Sequence, residues 1–295
     1  MRVGIVDVGA NTVRLLVAVR AAHGIDHVRE ERIQVGLGEE IEREGAIGEK
    51  KLREATEATE QRVARARRDG CDLIRVLVTS PGRQSSNGDE LTKALRAATN
   101  VPVQLLTAEE EGTLAWHGAV AAATDLPETI AVCDIGGGST QVVVGTLASG
   151  PAWSRSVDLG SLRLTRRTFE SDPPTANQLA HAYDEVSRCF ADFAPPLPLA
   201  ALATGGTARA LRRLVGPNLS ERELAQAVAH LAKSTSREIA KELGVDRARA
   251  RTLTAGALIL AQVQRRLGVP LGIARGGLRE GAAILLLDRA AQASA

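Results

Sequence analysis

Three glycine-containing turns follow apolar runs in this chain: Gly9-Ala10-Asn11-Thr12, Gly136-Gly137-Gly138-Ser139-Thr140 and Thr204-Gly205-Gly206-Thr207. Such turns can offer consecutive backbone N–H groups to a phosphate, because glycine exposes them without a side chain in the way. The third also opens a predicted helix, whose N-terminus adds free donors and a favourable dipole. Each alone reads equally as an ordinary tight turn; three together, two of them preceded by an in-strand Asp, point to phosphate chemistry. Those carboxylates, Asp7 and Asp134, stand where a strand should be apolar. A buried carboxylate must be paired, hydrogen-bonded or bound to a cation, and beside phosphate turns a hard Mg²⁺ is the natural partner. For Asp134 the metal reading is preferred; for Asp7, acceptance of N–H bonds inside its own hairpin stands equally open.

A second constellation is Thr107-Ala108-Glu109-Glu110-Glu111-Gly112, ahead of an apolar helix. A Thr followed by Glu residues in the next turn is a capping pattern, which accounts for Glu109 or Glu110 and leaves a carboxylate to point elsewhere. Spacing does not say which. Arg83, in the polar stretch Thr79-Ser80-Pro81-Gly82-Arg83 read as a turn, could clamp a phosphate through its planar fork.

The elements that must position these residues repeat. Residues 3–19 and 130–145 each read strand, Asp-hydrophobic-Gly, small polar turn, strand, and the two Asp residues lie 127 positions apart (134 − 7). Two β-branched runs joined by a short glycine link describe a hairpin, so the echo predicts two related domains, 1–124 and 125–278, with a terminal helix from about 279 to 293 packing back on the first. Periodicity predicts a third strand over 27–35, a helix over 49–68, a buried strand over 73–78 and a short strand over 103–106. Helices are expected over 89–98 and 108–124, and the second half is mostly helical after its own third strand near 152–157. Alternating strands and helices in both halves call for α/β sheets covered by helices.

Composition narrows the function classes. The 295 residues, 44% hydrophobic and 24% charged, are those of an ordinary globular chain with ample core. The net charge of +2 provides no overall field for a polyanion, and aromatic residues at 2% argue against nucleic-acid binding by base stacking. Of 37 basic residues 32 are arginine, in clusters read mainly as solvated helix faces; Arg209, Arg212 and Arg213 are set apart because their helix begins at a phosphate turn. Three scattered cysteines without a CxxC pair and five histidines without paired spacing suggest neither a disulfide framework nor a zinc site. No apolar stretch reaches the roughly 18 residues of a membrane span, and the expected setting is soluble and cytoplasmic.

Six segments, in order, carry a resemblance to the exopolyphosphatase / guanosine pentaphosphate phosphohydrolase (Ppx/GppA) family: Asp7 to Thr12, Thr79 to Asn87, Ala108 to Gly112, Asp134 to Thr140, Thr204 to Arg209 and Gly276 to Gly281. The resemblance spans nearly the whole chain. It implies the fold of the actin, sugar kinase and heat-shock chaperone superfamily, two related ribonuclease H-like α/β domains with phosphate held in the interdomain cleft. It implies Glu111 as general base activating water against a terminal phosphate, and Asp134, with Asp7, as Mg²⁺-associated carboxylates. Gly136, Gly137, Gly138 and Ser139 match the family's phosphate loop, Asn11, Thr12 and Arg83 its opposing phosphate contacts, and Gly205, Gly206, Thr207 and Arg209 the turn of the second domain. The implied substrate is inorganic polyphosphate or guanosine pentaphosphate, and the implied assembly a homodimer without nucleic acid or membrane partners. Two positions depart from the pattern: Gln141 stands where many members place a Glu, removing a negative charge beside the metal, and Thr113 where Arg is common. The chain ends soon after the last motif, which favours shorter polyphosphates. The alternatives are a non-catalytic polyphosphate or nucleotide sensor, suggested by Gln141, and an ATP-dependent phosphotransferase, disfavoured by the hydrolytic Glu motif.

Overall fold

Alternation of apolar side chains builds the first sheet of the computed structural model, which describes residues 1–293. In chain order its elements are β1 (Arg2–Val8), β2 (Thr12–Arg20), β3 (Ile25–Gln34), α1 (Leu37–Glu44), α2 (Glu49–Arg68), β4 (Leu73–Val78), α3 (Ser80–Gln84), α4 (Gly88–Thr99), β5 (Val103–Leu105) and α5 (Ala108–Ala121). The strand order is β3-β2-β1-β4-β5, antiparallel through β1 and parallel beyond it. Successive strand residues face opposite ways. Val6, Val8, Val13, Leu15 and Val17 therefore pack with α1, α2 and α4, while Val3, Ile5, Leu16, Ala18 and Leu77 form a separate core with α5 and the C-terminal helix.

The second sheet repeats this plan. Its elements are β6 (Thr129–Ile135), β7 (Thr140–Thr146), β8 (Gly150–Val157), α6 (Ser161–Thr168), α7 (Ala176–Cys189), β9 (Ala200–Thr204), α8 (Gly205–Val215), β10 (Asn218–Leu219), α9 (Glu221–Leu231), α10 (Ser236–Leu243), α11 (Arg247–Leu267) and β11 (Leu271–Ile273). The order is β10-β11-β9-β6-β7-β8, again an antiparallel meander joined to parallel strands. Its core gathers Phe190, Phe193, Leu159 and Leu164 with the long apolar α11. The last helix, α12 (Leu278–Ala293), belongs to the first unit, so the chain divides into Met1–Ala122 with the segment from Gly276 onward, and Ala123–Arg275. No described helix is long and apolar enough to cross a membrane.

Glycine decides how α12 docks. A Cβ at Gly118 of α5 would strike the Gly277 carbonyl, and one at Gly281 of α12 the Leu114 carbonyl, so two bare backbones are what let the helices touch. The structure also departs from the sequence reading. The stretch after β4 is a one-turn helix, α3, begun with Pro81 in its first turn, where the fixed φ of proline suits a helix start. The unpredicted α1 begins immediately after Gly36, whose φ of 73° turns the chain out of β3.

At the start of α12, Glu280 is almost fully buried, accepts the Gly277 N–H at 2.9 Å and lies 3.7 Å from His27 Nε2 of β3. His27 Nδ1 is 2.7 Å from Glu30. The hydrogen bond to Glu30, reinforced by the Glu280 charge, raises the His27 pKa above 6.5 against partial burial and Arg279. This pair's stabilisation is fully present below pH 6.5 and disappears as pH rises through the higher folded value. The melting temperature of the wild type should exceed that of His27→Gln near pH 5.5, by no more than about 2–4 °C for a half-exposed pair. The difference should vanish near pH 8.5, read by calorimetry of both proteins across that range.

Candidate functional site

In the first unit β1, β4 and β5 run parallel, so their carboxyl ends share one sheet edge, where open α/β sheets place ligands. The Gly9–Thr12 loop leaves β1, α3 leaves β4 and α5 follows β5. The loop closes on itself through Gly9 N–H to the Thr12 carbonyl at 3.1 Å. Its carbonyls turn toward the start of α1: Asn11 accepts the N–H groups of Val35 and Gly36, each at 3.0 Å, and Ala10 that of Gly38 at 2.7 Å. Thr12 Oγ1 accepts from Arg14 Nε at 3.0 Å, and Arg14 stands opposite Asp7 in the hairpin register.

Capping separates the three glutamates that sequence left equivalent. Thr107 Oγ1 accepts the Glu110 N–H at 3.1 Å, and the Glu110 carboxylate accepts the Thr107 N–H at 2.8 Å. Glu110 is thus committed to the capping box, and Glu109 is exposed. Glu111 turns inward, 6% exposed, where Arg83 Nη2 donates to its Oε2 at 2.6 Å. Arg83 Nη1 donates to the Leu106 carbonyl at 2.8 Å. A carboxylate this deeply placed requires a partner, and the guanidinium held between α5 and the end of β5 provides it.

The second unit repeats the braced loop. Gly136 N–H bonds to the Ser139 carbonyl at 3.0 Å; the Gly136 carbonyl accepts the Ser161 N–H, and the Gly137 carbonyl those of Leu162 and Arg163, all at 3.0 Å. These are the first amides of α6, as those of Gly36 and Gly38 border α1. Ser139 Oγ accepts from Gln141 Nε2 at 2.9 Å, which mirrors the Thr12–Arg14 contact, and Gln141 stands opposite Asp134 as Arg14 does opposite Asp7. Gln141 is 2% exposed, and among the described residues its Oε1 has no hydrogen-bond partner. Asp134 Oδ1 accepts the Thr204 hydroxyl at 2.7 Å. Gly205 takes a φ of 88°, and a Cβ there would lie 3.2 Å from that same carboxylate oxygen.

The structure thus gathers Asp7, Asn11 and Thr12 on one hairpin, Arg83 with Glu111 beside it on the same sheet edge, and Asp134, Gly136, Gly137, Gly138 and Ser139 with Gly205 and Gly206 in the second unit. Thr207 is fully buried against Gly256 of α11, and among the described residues its Oγ1 has no hydrogen-bond partner. Arg209 is exposed on α8, while Arg213 donates to the Leu243 carbonyl at 2.7 Å and is structural. One residue escaped the sequence reading. The Arg249 guanidinium covers Gly206, 2.8 Å from where a Cβ would stand, yet in sequence Arg249 is one of three alternating arginines at a helix start. The cysteines are poor nucleophiles: burial pushes the Cys71 thiol up to about 11 and raises Cys133 and Cys189 as well.

Residues 16–290 match the Ppx/GppA phosphatase family. Exopolyphosphatase 1 of Mycobacterium tuberculosis is 30% identical over 320 aligned residues, covering 100% of this chain and 91% of that protein. Exopolyphosphatase 2 of the same species is 27% identical over 92% of each chain. Among solved structures, an exopolyphosphatase from Cytophaga hutchinsonii superposes with a TM-score of 0.85 at 20% identity, and the Aquifex aeolicus Ppx/GppA family member with 0.83 at 22%; each comparison covers 98% of both chains. The fold of this chain is theirs.

The braced loop yields a direct test. A Cβ at Gly160, the residue before α6, would collide with the Gly137 backbone. Gly160→Ala should therefore displace the loop or the helix, lowering stability by about 1–3 kcal/mol. Denaturant unfolding measures that loss, and the variant should also bind tripolyphosphate more weakly in calorimetric titration.

Proposed function

The chain belongs to the Ppx/GppA phosphatase family, and we propose that within it this protein is an exopolyphosphatase that hydrolyses the terminal phosphoanhydride of inorganic polyphosphate. One observation carries the reading of the chemistry: a single glutamate of the Glu109-Glu110-Glu111 run, Glu111, is buried at the carboxyl edge of the sheet and oriented by Arg83 at 2.6 Å. Full-length similarity to a named exopolyphosphatase supports the substrate class.

Phosphoryl transfer asks a protein mainly for position and charge stabilisation. In the proposed reaction Glu111 takes the proton of the attacking water as the water oxygen bonds to the terminal phosphorus and the bridging P–O bond breaks. The backbone amides of the braced loop in each unit, with Asn11 and Thr12 in the first and Ser139, Gly205 and Gly206 in the second, are the donors proposed for phosphate oxygens. Arg83 has five N–H donors, of which two are engaged, leaving others for substrate oxygens. Arg209 and Arg249 extend the cationic surroundings of the second turn.

Mg²⁺ fits the donors present. Asp134 carries a carboxylate held by Thr204, and its cross-strand neighbour Gln141 contributes an unpartnered amide oxygen; an all-oxygen set suits this hard cation. Asp134 would hold it in the second unit, and Asp7 is the corresponding carboxylate of the first. When bound, the ion neutralises charge on phosphate oxygens.

Phosphate release from polyphosphate, compared with guanosine pentaphosphate, tests the proposal with and without Mg²⁺. Glu111→Gln keeps the shape of the side chain and a neutral contact to Arg83, so it should remain folded and lose about 10²–10⁴-fold in kcat. Wild-type turnover in that variant removes Glu111 as base, and binding without release by the native protein makes it a sensor. Gln141→Glu restores a negative charge opposite Asp134 and should lower the Mg²⁺ concentration for half-maximal rate several-fold. An unchanged Mg²⁺ titration takes Gln141 out of the metal's surroundings.

A further inference from the structure

The sheet of the first unit carries an arginine where its covered face should be apolar. β4 is an interior strand between β1 and β5. Ile74, Val76 and Val78 pack on one face of it, with α2 and α4, while Arg75 and Leu77 project from the other, toward α5 and α12. Arg75 pairs in register with Ile5 of β1, and Leu77 with Gln104 of β5. Two polar side chains, the partly exposed Arg75 and the exposed Gln104, therefore border this core. Above them α5 brings Glu110, Thr113 and Leu114, and α12 brings Ala282, Leu285, Leu286 and Arg289, both at helical spacing along one face.

Instead of closing, these surfaces border a pocket of about 250 Å³ that is open to solvent on one side, slightly smaller than most ligand pockets. Its lining is mixed: Ile5, Leu77, Leu106, Leu114 and Leu286 form an apolar wall, and Arg75 and Arg289 supply two guanidinium groups. Among the described residues neither arginine forms an ion pair. Glu110, the one carboxylate of the lining, is already engaged by the Thr107 N–H and by Gln104 at 3.1 Å. Arg75 is partly exposed and Arg289 exposed, so both can be reached from solvent, and two guanidinium groups without a carboxylate partner beside an apolar wall are the complement of an anionic head group on an apolar body.

We propose that this cavity binds a small amphipathic anion: a carboxylate or phosphate monoester held by Arg75 and Arg289, on an apolar body lying against Leu77, Leu106 and Leu286. Its wall is shared with the residues that hold Glu111. Leu106 lines the cavity with its side chain and accepts Arg83 with its carbonyl, while Glu110 and Thr113 flank Glu111 on the first turns of α5. Occupancy therefore bears on the Arg83–Glu111 pair and modulates phosphate release. That coupling rests on the assignment of Glu111 as base; the binding does not.

The test uses the full chain and 8-anilinonaphthalene-1-sulfonate, a fluorescent amphipathic anion, with octanoate, adenosine monophosphate and tripolyphosphate as competitors. Saturable fluorescence should be displaced by octanoate or by adenosine monophosphate and not by tripolyphosphate. Displacement by octanoate alone assigns an alkyl carboxylate, and displacement by adenosine monophosphate alone a phosphate monoester. The Arg75→Gln/Arg289→Gln double variant should bind the probe about tenfold more weakly or worse, as loss of charged hydrogen bonds predicts. Because Arg289 is exposed, Arg289→Gln alone keeps the test available if the double variant does not fold. Glu111→Gln should bind the probe like the wild type, which separates failure of this site from failure of the proposed chemistry. Displacement by tripolyphosphate, or unchanged affinity in the arginine variants, overturns the site. Retained binding with an unaltered rate of phosphate release at saturating competitor overturns the coupling.

Discussion

The shape of both hairpin loops depends on one kind of interaction, backbone carbonyls turned away to accept the first N–H groups at or beside a helix start. A run such as Gly136-Gly137-Gly138 has no intrinsic conformation to hold, because glycine loses more freedom on ordering than any other residue. Three hydrogen bonds at 3.0 Å from the start of α6 fix the Gly136 and Gly137 carbonyls. Helix N-termini carry unsatisfied donors that must find acceptors, so the loop caps the helix while the helix orders the loop. The constraint propagates outward. Gly160 must lack a side chain for α6 to approach Gly137, and Gly36 must adopt a left-handed conformation for α1 to begin where Ala10 and Asn11 can cap it.

The two units share this device with their strand registers, and the points where they differ are chemical. In both, the Asp of the first strand pairs with the residue seven positions later and with a residue seventy later in the parallel neighbour: Asp7 with Arg14 and Leu77, Asp134 with Gln141 and Thr204. The backbone arrangement is thus equivalent while the surroundings of the carboxylates are not. Asp134 gains a hydroxyl donor from Thr204 at 2.7 Å and a neutral amide opposite; Asp7 faces a leucine on one side and a guanidinium-bearing residue on the other. A neutral, oxygen-rich neighbourhood suits a cation better than one already holding an arginine, which distinguishes the two aspartates more sharply than their similar sequence settings do.

How much of this was legible in the sequence follows from the range over which each signal acts. The hairpins, α2 and the glycine turns are written in local periodicity and backbone freedom, and the structure places them within a residue or two. α1 was not legible: it starts between two glycines, Gly36 and Gly38, and is only eight residues long, with Leu37, Gly38 and Ile41 as its buried residues. The helix α3 was masked for the same reason, since Ser80-Pro81-Gly82 is turn chemistry until the chain before and after it fixes the direction. Arg249 and Arg75 were hidden in another way. Their neighbours in space, Gly206 and the α5–α12 face, are remote in sequence, so residue type alone reads the first as a solvated helix face and passes over the second inside an apolar strand.

The glutamate run shows local and long-range constraints acting in series. A capping box needs a carboxylate at the third helical position, which selects Glu110 and thereby fixes the rotation of α5. With that rotation set, the next residue along, about 100° further round the helix, is directed toward the end of β5 and α3, where Arg83 is held by the Leu106 carbonyl. Moving the cap by one residue would turn Glu111 away from Arg83 and break that pair. The position of the proposed base is therefore set in part by the hydroxyl of Thr107, whose capping bond is to Glu110. The depth of Glu111 follows from the same rotation: the helix face that carries it also buries Ala115, Trp116 and Ala119, and the contact of Gly118 with α12 holds that face against the sheet.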